Sequence, residues 1–162
     1  MTTIERYRRW FEYEKDAHLK TLESFSSVPE STRTRKEFQK AIDLLAHLVA
    51  ARMMWLSRFG VDVETQPPLF SKGAALPDLR TNMESMHKAW SDYLAGLNDS
   101  DISKAFEYAS SEGPRYRSVI EDVLTQLFGH SLYHRGQIAA LIRSLGGEPA
   151  TTDFIFWTRE PL

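Results

Sequence analysis

The chain contains no cysteine, which excludes disulfides, thiolate metal ligands and a cysteine nucleophile together. No run approaches the ~18 apolar residues of a membrane-crossing helix. The start, Met1-Thr2-Thr3-Ile4-Glu5-Arg6, is charged and lacks the apolar stretch of a secretion signal. A surplus of one charge is missing as well: 20 basic residues against 22 acidic ones leave a formal net charge of −2. That balance offers no electrostatic footprint for nucleic acid or an anionic membrane. The basic clusters Arg6/Arg8/Arg9 and Arg33/Arg35/Lys36 have acidic neighbours and read as solvated faces. These absences predict a soluble cytoplasmic protein, one domain over residues 1–162, large enough to bury a core without covalent staples.

Four segments carry helical periodicity, and no internal repeat interrupts them. In the first, residues 3–26, Ile4, Tyr7, Phe11, Glu14, His18, Leu22 and Phe25 step by three and four, and Pro29 closes it. The second, residues 34–59, repeats Phe38, Ala41, Leu45, Leu48, Arg52, Trp55 and Phe59 and stops at Gly60. The third opens near Pro77, a residue suited to a first helical turn, and carries Leu79, Met83, Met86, Trp90, Tyr93 and Leu97. The fourth, residues 117–145, aligns Ile120, Val123, Leu127, His130, His134, Ile138, Leu141 and Leu145 before Gly146-Gly147. Four amphipathic helices make an all-α four-helix bundle the simplest architecture.

The linkers constrain how the helices connect. Residues 60–76 hold Pro67, Pro68 and Gly73 without helical pattern, and fully extended they reach roughly 55 Å. The second helix is only about 38 Å long at about 1.5 Å per residue. The linker can therefore cross lengthwise and leave the second and third helices parallel. Between the third and fourth, Ile102, Lys104, Phe106 and Tyr108 alternate as in a strand, and Ser110-Ser111-Glu112-Gly113 turns the chain toward Tyr116. A short hairpin before the fourth helix is expected there. The tail from Glu148 to Leu162 contains Phe154, Ile155, Phe156 and Trp157 and is expected to dock on the bundle or on a second subunit.

Two imidazoles on the fourth stripe are the most informative feature. His130 and His134 lie four residues apart, one helical turn, so both rings can converge on one ion. They occupy positions where a core wants Leu or Ile, and each unsatisfied buried ring group costs about 1–3 kcal/mol. A shared metal resolves this; hydrogen bonds to backbone or carboxylates are the other solution. His47, at the margin of the second stripe, is the candidate third ligand. His18, one turn after Glu14, is open to three roles: fourth ligand, general base, or partner of a ligand. His87 follows its stripe by one residue beside Lys88 and is expected at the surface. Asp43 and Gln126 precede His47 and His130 by one turn and are candidates to hold the outer ring nitrogens.

The block His130-Ser131-Leu132-Tyr133-His134-Arg135-Gly136-Gln137 resembles the His-x-x-x-His-Arg-Gly-Gln signature of the DinB-like (DinB/YfiT) superfamily of four-helix-bundle metalloproteins. The resemblance extends through Leu141-Ile142-Arg143-Ser144-Leu145-Gly146-Gly147-Glu148-Pro149 and Asp153-Phe154, and His47 ahead of Trp55-Leu56 matches the first metal histidine. Tyr13-Glu14-Lys15-Asp16-Ala17-His18 departs from the usual Tyr-x-x-Trp-Ala-Asn, with Asp16 for the Trp and His18 for the Asn. What the resemblance implies is a left-handed up-down-down-up bundle with His47, His130 and His134 on one divalent ion, commonly zinc or nickel; three neutral imidazoles with no thiolate also suit iron. Relatives include thiol-dependent transferases and isomerases, and metal-dependent hydrolases.

Two classes of function follow. The first is an enzyme in which the ion activates water or a low-molecular-weight thiol against a small electrophile. His18 or Glu14 would then assist proton transfer, and Arg135 or Arg143 would bind an acidic substrate group. The second is a non-catalytic stress or structural protein whose ion ties helices together. Direct action on DNA is disfavoured by the charge balance. Trp10, Phe11, Trp55, Phe59 and the aromatic tail exceed the needs of one interior, and a homodimer is expected.

Overall fold

A computed structural model describes residues 1–63 and 66–161. Positions 64 and 65 of the long linker and the last residue of the tail, Leu162, lie outside the described residues. Among the described residues the chain forms six α-helices and one two-stranded antiparallel sheet. They are α1 (Thr3–Ser24), α2 (Lys36–Arg58), α3 (Leu76–Ala95), the short α4 (Asp99–Ile102), β1 (Ala105–Ala109), β2 (Arg115–Val119), α5 (Ile120–Ser144) and the short α6 (Phe154–Thr158). No helix is long and apolar enough to cross a membrane.

Each helix starts and stops for local reasons. Thr2 caps α1 in a reciprocal box, its hydroxyl accepting from the Glu5 amide while the Glu5 carboxylate accepts from the Thr2 amide. The regular helix ends at Ser24 and tightens into a 3₁₀ turn over Phe25–Ser27, so Pro29 lies beyond the end and does not itself terminate it. At the end of α5, Gly146 takes φ +83°, and the Gly147 amide donates to the Ile142 carbonyl at 3.0 Å, a left-handed close that only glycine enters without strain. The four residues Ser110–Gly113 form the hairpin turn, with Gly113 at φ +102°, and pair Ala105 with Val119 through Ala109 with Arg115. Ile102 belongs to α4 and not to the strand, because Asn98 and Asp101 form a second reciprocal cap around that turn.

The four long helices bury a common core in which Leu45, Leu56, Met83, Met86, Trp90 and Ile138 are fully enclosed. α1 and α2 each pack against both α3 and α5. Between α1 and α3 the contacts run in opposite senses: Arg8 reaches the Leu94 carbonyl and His18 reaches His87. From α2 toward α3 they rise together, from Gln39 with Ala74 to Arg52 with Trp90. The tail docks on α1 in part, Phe154 packing edge-on against Tyr13 at 5.1 Å, while Ile155 and Phe156 stay exposed.

Candidate metal centre

His47 on α2 and His130 and His134 on α5 are brought together, with one ligand-type atom from each within 4.8 Å of the others. Nε2 of His130 lies 3.2 Å from Nε2 of His47 and 2.9 Å from Nε2 of His134. Bonds of about 2.0–2.1 Å to a common ion place neighbouring nitrogens about 2.9–3.4 Å apart. The observed spacing is that of a ligand set.

The outer nitrogens fix which atoms face inward. Nδ1 of His47 donates to the Leu69 carbonyl at 2.7 Å, and Nδ1 of His134 donates to Oε1 of Gln137 at 2.7 Å. A neutral ring protonated at Nδ1 carries its lone pair on Nε2. His47 and His134 therefore both aim lone pairs at His130, whose single Nε2 can satisfy only one of them with a proton. A cation removes the remaining repulsion. Burial, followed by the neighbouring His134 and His47, pushes His130 down to about 4, and burial and His47 also lower His134, so both rings are neutral at pH 7.

One wall of the centre is the segment before α3. Asp43 holds it: Oδ1 accepts from the Gly73 amide at 3.0 Å, the Ala74 amide at 2.9 Å and the Gln39 side chain at 3.0 Å. Phe70 lies flat on His47, ring centroids 5.0 Å apart and planes 11° apart. Together these residues frame a cavity of about 410 Å³ lined by His47, His134, Phe70, Asp43, Lys36 and Lys40 among others.

Other sequence-predicted residues lie elsewhere. Asp43 binds the loop and not His47, and Gln126 is exposed; the outer nitrogen of His47 is held by Leu69 and that of His134 by Gln137. Gln137 follows His134 by three residues on a helix, a spacing that makes the contact legible in retrospect. Leu69 and Phe70 sit in an aperiodic linker, and no sequence signal marks them. Arg143 is exposed and lines no described cavity near the triad. Arg135 is buried and faces α1, where it contributes to a separate cavity of about 570 Å³ with Trp10, Tyr13, Phe128 and Phe154.

Glu14 and His18 belong to a buried polar chain on that α1 side and do not line the triad's cavity. Glu14 pairs with Arg52, whose guanidinium lies 5.2 Å from the Phe11 ring centre and 5.4 Å from that of Trp90. Arg135 donates to Oγ of Ser131 at 2.9 Å and to the Tyr13 hydroxyl at 2.7 Å. Because Ser131 Oγ already accepts from Arg135, its proton is free to donate to Nε2 of His18 at 2.8 Å. Nδ1 of His18 then donates to Nε2 of His87 at 3.2 Å. His87 is thus buried and not a surface residue: Met83, His87 and Trp90 repeat at four and three, which widens the apolar stripe of α3 to include it. Burial and the Arg52 charge hold His18 well below its usual range and His87 at about 4, so this pair is neutral.

No curated protein and no solved structure gives a significant match to the chain. The model of the DinB family matches residues 1–161. With a helical fold and a triad assembled from the signature block and His47, the chain belongs to the DinB family.

Proposed function

We propose that the triad holds one divalent ion, zinc or nickel by preference and iron as the alternative, in a metal-dependent transferase or hydrolase. The observation that carries this reading is the convergence of three imidazole Nε2 atoms beside a cavity open to small molecules. Three imidazoles without a thiolate suit these ions. Such an ion, when bound, lowers the pKa of a bound water or holds a thiol as its thiolate. The chain's own residues do the rest. Leu69 and Gln137 lock the ring tautomers, and Asp43 keeps the loop and Phe70 against the centre. His18 and Glu14 act as positioning groups, His18 through Ser131 of α5 and Glu14 through Arg52 of α2.

The same reading includes a left-handed up-down-down-up bundle, supported by the opposite sense of the α1–α3 contacts and the common sense of those from α2 to α3. It also includes a homodimer, supported by Leu132, Tyr133, Ile155 and Phe156 exposed on α5 and α6. A monomer mass by light scattering at micromolar concentration would overturn the dimer.

The test of function is a spectroscopic titration of the cobalt-loaded chain with a small neutral thiol. A new thiolate-to-metal absorption band is expected, together with turnover of an electrophile that disappears in His130→Ala. A metal that raises the melting temperature but admits neither thiol nor other exogenous ligand would leave the triad a structural clamp between α2 and α5.

A further inference from the structure

The anion-binding role that the sequence assigns to Arg135 or Arg143 is vacant at the triad, since the first faces α1 and the second faces solvent. Lys36 and Lys40 line the triad's cavity instead. They lie four residues apart, on one face of the first turns of α2, and both are exposed. Neither joins an ion pair among the described residues. The one carboxylate in the cavity lining, Asp43, has its Oδ1 fully engaged by Gly73, Ala74 and Gln39, and so anchors the loop. At a rise of about 1.5 Å per residue, Lys40 and Lys36 stand about 10 Å and about 16 Å along α2 from His47, and their flexible stems shorten that span.

We propose that this cavity selects ligands that carry a carboxylate remote from the reacting head, bound by Lys36 and Lys40 while the head reaches the triad. The inference rests on the open metal centre proposed above. Three imidazoles leave the charge of a bound ion uncompensated, and at the other end Lys36 and Lys40 outnumber the single carboxylate Asp43, so the cavity carries a net positive charge and favours a ligand with an anionic or polarisable head and an anionic tail. Two separate ammonium groups suit a monoanionic carboxylate. Lysine ammonium groups act as point charges toward carboxylate and phosphate alike, and the carboxylate is favoured here because the Gly73 and Ala74 amides that would complete a phosphate site are taken by Asp43.

Calorimetric titration of the zinc-loaded full chain tests this with two probes that share a metal-binding hydroxamate: suberic acid monohydroxamate and its terminal carboxamide analogue. The acid is expected to bind about tenfold tighter than the amide at low salt, with the advantage shrinking as salt is raised. In Lys36→Met/Lys40→Met the advantage should vanish while zinc content and helical circular dichroism persist. Equal binding of acid and amide by the parent, or an advantage that survives in the double variant, overturns the selectivity and leaves the open centre standing. Failure of both probes to bind overturns the open centre and the selectivity with it.

Discussion

At the scale of single residues, the chain gathers its five histidines in two clusters with different fates. The triad is exposed to a cavity, whereas His18 and His87 are sealed in the core. A buried histidine whose pKa falls below its value in the unfolded chain destabilises the fold as pH drops, because the unfolded state takes up more protons. For His87 that window runs from about 6.5 down to about 4. Metal-free protein should therefore lose about 1.4 kcal/mol per pH unit from this group across the window, read as a falling urea midpoint. His87→Gln should flatten the slope. Glu14, raised above 4.5 by burial against the pull of Arg52 and Arg135, acts in the opposite sense within the same range, and it is present in parent and variant alike, so their difference reports the histidine. Removing one side of the buried Glu14 and Arg52 pair is more severe: Glu14→Gln should cost about 3–5 kcal/mol in chemical denaturation, since it strands a buried guanidinium. The stripe periodicity of α1 and α2 already placed Glu14, His18 and Arg52 inward, and the spacing of His130 and His134 already made them one pair. The partner of each buried group depended on which helices meet, and periodicity along one helix carries no such information. For that reason Glu14 and His18 read as candidates for the metal site, whereas the partners they meet directly are Arg52 for Glu14 and Ser131 and His87 for His18.

Among the elements, the link between α2 and α3 does more than cross the molecule. Its stretch from Gln66 onward supplies the Leu69 carbonyl that orients His47 and the Phe70 ring that covers it, and Asp43 pins it through two backbone amides. Asp43→Ala keeps all three histidines yet frees this wall. Zinc affinity measured by competition with a chromophoric chelator should fall about tenfold, the usual effect of losing the outer support of a metal ligand. An unchanged affinity would show that the loop is not needed to orient His47. A second element-level effect concerns the exit of α5, where a Cβ on Gly147 would meet Val28 at 2.8 Å and Ile142 at 3.0 Å. Gly147→Ala should lower the thermal midpoint by overpacking, at a cost of about 1–3 kcal/mol, without changing metal content. Helix positions and the hairpin turn were legible because apolar spacing, Pro77, Gly60, Gly113 and Gly146 mark them. The loop wall was not, because its contacts come from backbone carbonyls and amides, whose placement no side-chain pattern encodes.

For the whole molecule, the triad joins α2 to α5 across the core, so a bound ion couples ligand binding to the stability of the fold. Family membership over residues 1–161, the assembled histidines and the adjoining cavity are what support the proposed metal centre. The most direct test is elemental analysis of tag-free parent and of His130→Ala, each dialysed against a small excess of zinc. One ion per chain is expected in the parent, with a raised melting temperature that chelation reverses, and none in the variant, which should keep its helical circular dichroism. A parent that retains no ion, or a His130→Ala variant that retains as much as the parent, would contradict the metal centre.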